Sequence, residues 1–433
     1  MIKRRKLIKI GVVSMGAFGM TGLNSKLVKA NDSRLIFWQP IDNHYAAFDH
    51  FKKKISVFKQ KHSDLEVDLV EFPFSGFEAK FLTAFAGQKE APDIFVGLVA
   101  PWAGCIGVAD PMPRDIVNIC EKEIAPAFHN VMKHKGIWYG YPDGPTNGLG
   151  SMLYYNTDHF KEAGLSRPPK NMDELYEYGK LLARTDSAGN VTRSGFAHRY
   201  DDARGAGTGS KIIPFLHAFG GRVYDLDNNK SEGVTNSNAS VNALKLARKL
   251  VDEKISSITL GKPEQQLASG KASMIFRESF LVGWLKDKAP NIKYDVAVAP
   301  PQVGSAMGAT GVVDWAMMVN KFSANKDAAW DFLKTAVITK EADLEASKLN
   351  GSPVAWTSNW NSSHMQKRGD YNALKDAANN YTAANYTHAR HQELGDRHAG
   401  AIQSILLQQE DPKKALDMAA SDMQSIMDQG ECG

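Results

Sequence analysis

Between residues 35 and 98, short apolar runs take turns with amphipathic helical stretches, and this alternation constrains the fold more than any other feature of the chain. Leu35–Trp38 reads as a strand. After it, Phe48, Phe51, Ile55 and Phe58 recur at i, i+3, i+7 and i+10, which puts four large apolar groups on one helical face and leaves the intervening lysines wet. Leu65–Phe72 is a second strand, Phe77–Ala86 a second helix carrying Phe81, Leu82 and Phe85, and Asp93–Leu98 a third strand. Strand, helix, strand, helix, strand with short connections predicts a doubly wound α/β lobe of mainly parallel strands, a form that binds ligands at the carboxyl ends of its strands.

One such lobe does not use up 433 residues, which at roughly 100–200 per domain allow two to four domains. The helical stripe Val241, Leu244, Ala247, Leu250 and Val251 and the strand Tyr294–Ala299 predict a second lobe of similar make. Near the carboxyl end, Asp411-Pro412 is an N-cap followed by proline at the first helical position, and Leu416, Ala420, Met423 and Met427 form its buried stripe. No internal repeat or long low-complexity linker separates the lobes. Several short crossings are expected instead, an arrangement that lets two lobes hinge around a cleft.

The chain carries 52 Lys+Arg and 48 Asp+Glu, a formal charge of +4, but seven of the cations fall within residues 1–30, which hold no acid. Without that segment the charge is −3, so a basic face for nucleic acid is not expected. The segment has the layout of an export signal: a basic start, the apolar stretch Ile10–Leu23, and Val28-Lys29-Ala30 as a small-x-small cleavage point. Lys3-Arg4-Arg5-Lys6-Leu7-Ile8-Lys9 also resembles the twin-arginine consensus. Four glycines break the apolar stretch, which falls short of the roughly 20 residues of a spanning helix. Cys105, Cys120 and Cys432 have no metal-ligand spacing; Cys105 and Cys120 could pair, and Cys432 is expected to be free.

A family resemblance rests on an ordered set of motifs. Trp138-Tyr139-Gly140-Tyr141-Pro142, the run Met152-Leu153-Tyr154-Tyr155-Asn156-Thr157-Asp158 through Leu165, and Pro168-Pro169-Lys170-Asn171-Met172-Asp173-Glu174-Leu175 form its centre. Thr83–Gly87 with Ala91–Ile94, His217–Gly221, Leu267–Met274 and Lys326–Phe332 follow the same order. Together they resemble the family 1 extracellular solute-binding proteins, the receptors of carbohydrate ABC transporters.

The resemblance implies a two-lobed periplasmic binding protein fold of type II-like form, each lobe a doubly wound sheet flanked by helices. After the signal at 1–30, the implied N-terminal lobe is 31–111 plus 300–350 and the C-terminal lobe 112–299 plus 351–433. It implies a monomer in the periplasm that traps a small carbohydrate and hands it to an inner-membrane ABC permease, with no cofactor, no metal and no catalysis. Sugars offer C–H faces that stack on aromatic rings and hydroxyls that need fixed polar partners. The residues expected to serve are Trp38, Asp42, Trp102, Asn147, Arg277, Glu278, Trp284, Asp314 and Trp315.

Other readings compete. A secreted glycoside hydrolase needs two carboxyls at roughly 5–10 Å, a separation that sequence does not reveal. Gly205-Ala206-Gly207-Thr208-Gly209 lacks the full dinucleotide spacing, yet with Arg199, Arg204 and Lys211 around it an anionic sugar derivative could be received; the plainer expectation is a flexible turn with solvated arginines. His388, His391 and His398 are expected on a solvated surface, and Tyr154-Tyr155 in strand packing.

Overall fold

The computed structural model describes residues 34–41, 49–73, 76–87, 91–142, 152–200, 205–302, 315–379 and 388–430. The export signal expected at 1–30 lies outside them. From the amino end come β1 (Arg34–Ile41), α1 (Asp49–Lys61), β2 (Glu66–Pro73), α2 (Phe77–Gly87), β3 (Ile94–Val99), α3 (Ala100–Cys105) and the short β4 (Gly140–Tyr141). The middle supplies β5 (Met152–Asn156), α4 (Gly205–Ala218), α5 (Asn238–Asp252), α6 (Pro263–Ala268), β6 (Met274–Arg277), α7 (Leu281–Lys288) and β7 (Tyr294–Val298). Then follow β8 (Trp315–Val319), α8 (Lys340–Asn350), α9 (Tyr371–Asn379), α10 (His391–Leu407) and α11 (Pro412–Met427).

The first sheet has the order β2-β1-β3-β8-β4. β1 pairs in parallel with β2 from Arg34↔Glu66 to Ile41↔Pro73, and with β3 at Phe37↔Ile94. Side chains alternate across a strand, and neighbouring residues of β1 serve opposite faces. Phe37 packs edge-on to Phe51 of α1, centroids 5.1 Å apart, whereas Trp38 meets Phe81 of α2 at 5.7 Å. The helices therefore cover the two sides of one sheet, as the alternation predicts. Phe77, Phe81 and Phe85, four residues apart, are all buried, each burial worth about 2 kcal/mol. Gly97 sits at φ 117°, and a Cβ there would lie 2.8 Å from Pro40 Cγ, so only glycine lets β3 pass β1 this closely.

The second sheet is β6-β5-β7, with both outer strands antiparallel to β5. Mainly parallel strands were expected, and in the described residues only β2, β1 and β3 meet that expectation. The chain path explains the difference: β4 leaves the first sheet toward the second and β8 returns, so they pair antiparallel, as do the entering β5 and departing β7. Alternation again loads both faces. Leu153, Tyr155, Met274 and Phe276 join one core with α4, α5, α10 and α11; Tyr154 and Ile275 join the core that fills the first lobe. The short β4 belongs to the first sheet, at its β8 edge.

Cys120 is a buried free thiol, pushed up to about 12 by burial, and Cys105 is disulfide-bonded, so these two do not pair. Cys432 lies outside the described residues. His388, His391 and His398 are 1%, 3% and 0% exposed rather than solvated; the His388 ring packs against Tyr224 at 6.3 Å and the His391 ring against Trp102 at 5.9 Å. Asp411 caps α11 as expected, its carboxylate accepting the Lys414 N–H at 3.0 Å. No helix among the described residues is long and apolar enough to cross a membrane.

Candidate functional site

Both crossings, Pro142 to Met152 and Gln302 to Trp315, join the two sheets at the same strand ends. At that junction lie the carboxyl ends of β3 and β6, since Val99 pairs with Trp315 and Arg277 with Met152. The segment 194–197 runs parallel to β6 through the bridges Ser194↔Ala272 and Ala197↔Ile275, so the chain turns into α4 at this end as well.

On the second lobe the junction is built from five charged side chains, each 9% exposed or less. Arg277 Nη1 donates to Glu278 Oε2 at 2.9 Å, and its Nε lies 3.6 Å from Glu264 Oε2. Arg199 Nη1 donates to Glu264 Oε1 at 3.1 Å, and the Lys211 ammonium donates to Glu278 Oε1. The Arg277 guanidinium also lies 4.9 Å over the ring of Phe280. Arg277 closes β6 with Glu278 directly after it, Glu264 is in the first turn of α6, and Lys211 lies midway along α4. Burial pushes both carboxyls up, but the neighbouring cations outweigh it and hold Glu264 and Glu278 at about 2. Burial pulls Lys211 below its ordinary value, opposed by Glu278. Tyr154 Oη donates to the Glu278 carbonyl at 3.1 Å, which fixes the backbone beneath the network. Beyond Arg199, a cavity of about 240 Å³ opens between His198–Tyr200 and Ile258–Pro263.

Paired buried charges with settled ionisation suit fixed hydrogen bonding to a polar solute rather than proton transfer. Among the described residues no group of three or more His, Cys, Asp or Glu side chains could hold a metal ion.

The expected site residues divide accordingly. Arg277 and Glu278 come together in the network. Trp102 is half-buried on α3, directly after β3, with its ring 5.9 Å from that of His391. Trp38 is 8% exposed, packed edge-on to Phe72 at 5.6 Å with the Lys80 ammonium 4.7 Å over its ring. Trp284 is half-buried against the first core. Trp315 opens β8 opposite Val99, and its side chain is outside the described residues, as are Asp42, Asn147 and Asp314. Arg199 and Lys211 are buried in the network rather than solvated beside a turn; Arg204 is outside the described residues. Sequence reasoning missed Glu264, because nothing near Pro263-Glu264 marks a carboxylate that pairs with residues 65 positions away.

Comparison with known proteins agrees with this architecture. The model of the bacterial extracellular solute-binding protein family matches residues 41–343. A binding protein of Brucella abortus (strain 2308) is 26% identical over 343 residues, 74% of this chain and 75% of its own length. A solute-binding protein from Thermotoga lettingae, solved with alpha-D-tagatose, superposes with a TM-score of 0.77 at 21% identity, covering 91% of this chain and 100% of that one. The maltose-bound MalE3 of T. maritima gives 0.76 at 20% identity, with 91% and 100% covered. With its family model matched over most of its length and its two sheets joined by crossings at one junction, the chain belongs to the bacterial extracellular solute-binding proteins.

Proposed function

We propose that this protein is an exported receptor that captures a carbohydrate between its two lobes and delivers it to an ABC importer. The observation that carries the reading is the buried network Arg199–Glu264–Arg277–Glu278–Lys211 at the lobe junction. Buried ion pairs contribute little net stability, so five such groups gathered at a cleft are better accounted for by a ligand than by the fold. On the first lobe the half-buried Trp102 stands at the head of α3, directly after β3. Charged groups and an aromatic ring are the partners a polyhydroxylated ring needs. Tagatose and maltose occupy the similar structures, which supports a sugar as ligand here.

In this reading residues 1–30 are a cleaved export signal and the protein works in the periplasm as a monomer. The lobes divide near 31–142 plus 300–350, and 152–299 with the carboxyl-terminal helices. Trp102, Arg277 and Glu278 are ligand contacts, joined by Asp42, Asn147, Asp314 and Trp315. The cations Arg199, Lys211 and Arg277 favour a second reading, a sugar bearing an acidic substituent.

A thermal-shift and calorimetric screen against neutral and anionic mono- and oligosaccharides tests both, with chromatography of the mixtures for turnover. One sugar class raising the melting temperature without product is the expected outcome; an acidic class would select the second reading. Hydrolysis, or no shift across the panel, would overturn the receptor assignment.

A further inference from the structure

Cys105 closes α3 as one half of a disulfide, and the other two cysteines limit what its partner can be. Cys120 is buried on the helix Arg114–Glu123, where its thiol faces the Met112 sulfur at 3.9 Å and stays reduced. Burial, aided by Glu121, pushes that thiol up to about 12, which leaves almost no thiolate for exchange. Cys432 is the one cysteine of the sequence that remains, five residues past the end of α11.

The end of α11 is held toward the same place. Arg390 Nη1 donates to the Ile426 carbonyl at 2.9 Å and to Gln429 Oε1 at 2.7 Å. The next residue, His391, sets its ring against that of Trp102 at 5.9 Å, and Trp102 and Cys105, three positions apart on α3, share a helical face. One chain of contacts thus runs from Gln429 to the helix that carries Cys105. From Gly430, the last described residue, two residues of chain extend up to about 7 Å, and a disulfide spans about 6 Å more between Cα atoms. The two ends belong to different cores: Leu416, Met423 and Met427 of α11 to the second, Ala100 and Ala103 of α3 to the first.

We propose that Cys105 and Cys432 form a disulfide that ties the segment after α11 to α3, and with it the second lobe to the first. The bond closes nearly the whole sequence between α3 and α11 into one loop, so it acts chiefly by removing freedom from the unfolded chain. Its formation is a two-electron oxidation. Each thiol gives up a proton, the S–S bond forms, and the two electrons reduce a disulfide oxidant, small or protein-borne, to its two thiols. An oxidising compartment supplies such an oxidant. The bond needs neither a sugar nor the receptor reading.

Thiol counting on the full chain tests it. After equilibration with oxidised glutathione, unfolding in guanidinium with iodoacetamide and no reductant is expected to label one thiol, in the peptide that contains Cys120; prior reduction raises the count to three. A digest of the unreduced protein should yield one peptide pair joined through Cys105 and Cys432. Cys432→Ser is expected to lower the melting temperature by roughly 5 °C, and Cys105→Ser with Cys432→Ser by no more than either alone, because the same bond is lost in all three. Cys120→Ser should leave the linked pair intact. Three labelled thiols without reductant, a Cys105–Cys120 pair, glutathione carried on either partner, or a chain dimer joined through Cys105 would each overturn the pairing. A linked pair whose loss leaves the melting temperature unchanged would overturn its role as a staple.

Discussion

At the scale of single residues, the five buried charges at the junction give the sharpest expectations. Removing one partner of a buried pair strands the other in a poorly solvated site, at a cost of about 3–5 kcal/mol. Glu278→Gln strands Lys211 and one contact of Arg277, so urea denaturation is expected to show a loss of that size. Replacing the pair together, Lys211→Met with Glu278→Met, should recover most of it, and a double-mutant cycle with strong coupling is the expected result. Acid should act on the same groups. Glu264 and Glu278 are held at about 2, below the ordinary 4.5, so the unfolded chain binds more protons than the folded one between these values. Their stabilising contribution is complete above about pH 4.5 and is lost as the pH falls toward 2. Melting curves across that window check it; a Glu278→Gln variant should have a shallower decline than the unmodified protein.

At the scale of elements, the structure shows where sequence patterns suffice and where they do not. β1, β2 and β3 with α1 and α2 were legible because each buries a periodic set of side chains against a local neighbour, and Phe51, Phe58, Phe81 and Phe85 are all buried as spaced. β4, β8 and the antiparallel second sheet were not, since their direction follows from which way the chain crosses between lobes. Lys211 and Glu264 lie on α4 and α6 and Glu278 directly after β6, and only the packing of these elements brings them together. Backbone requirements give sharper expectations. Gly97→Ala imposes a left-handed φ on a side chain and drives its Cβ into Pro40, so a loss of about 2 kcal/mol or more is expected in urea denaturation. Asp411→Ala removes only the cap of α11 and should cost about 1 kcal/mol.

At the scale of the whole molecule, the two lobes are not independent bodies on a tether. Tyr154 and Ile275, from the second sheet, and Leu281 and Leu285, from α7, are buried in the same core as the first sheet, while the opposite face of β5 and β6 fills the second core. Unfolding one lobe therefore exposes apolar surface of the other, and heat capacity measurements are expected to show one cooperative transition. A solute that touched strand ends of both lobes at the junction would add its binding free energy to the stability of that single unit. At a concentration of about 100 times Kd it contributes about 2.7 kcal/mol, and the whole transition should move upward together. Two transitions, of which the sugar shifts only one, would mean that the ligand rests on one lobe, and that closure is not part of how this protein holds it.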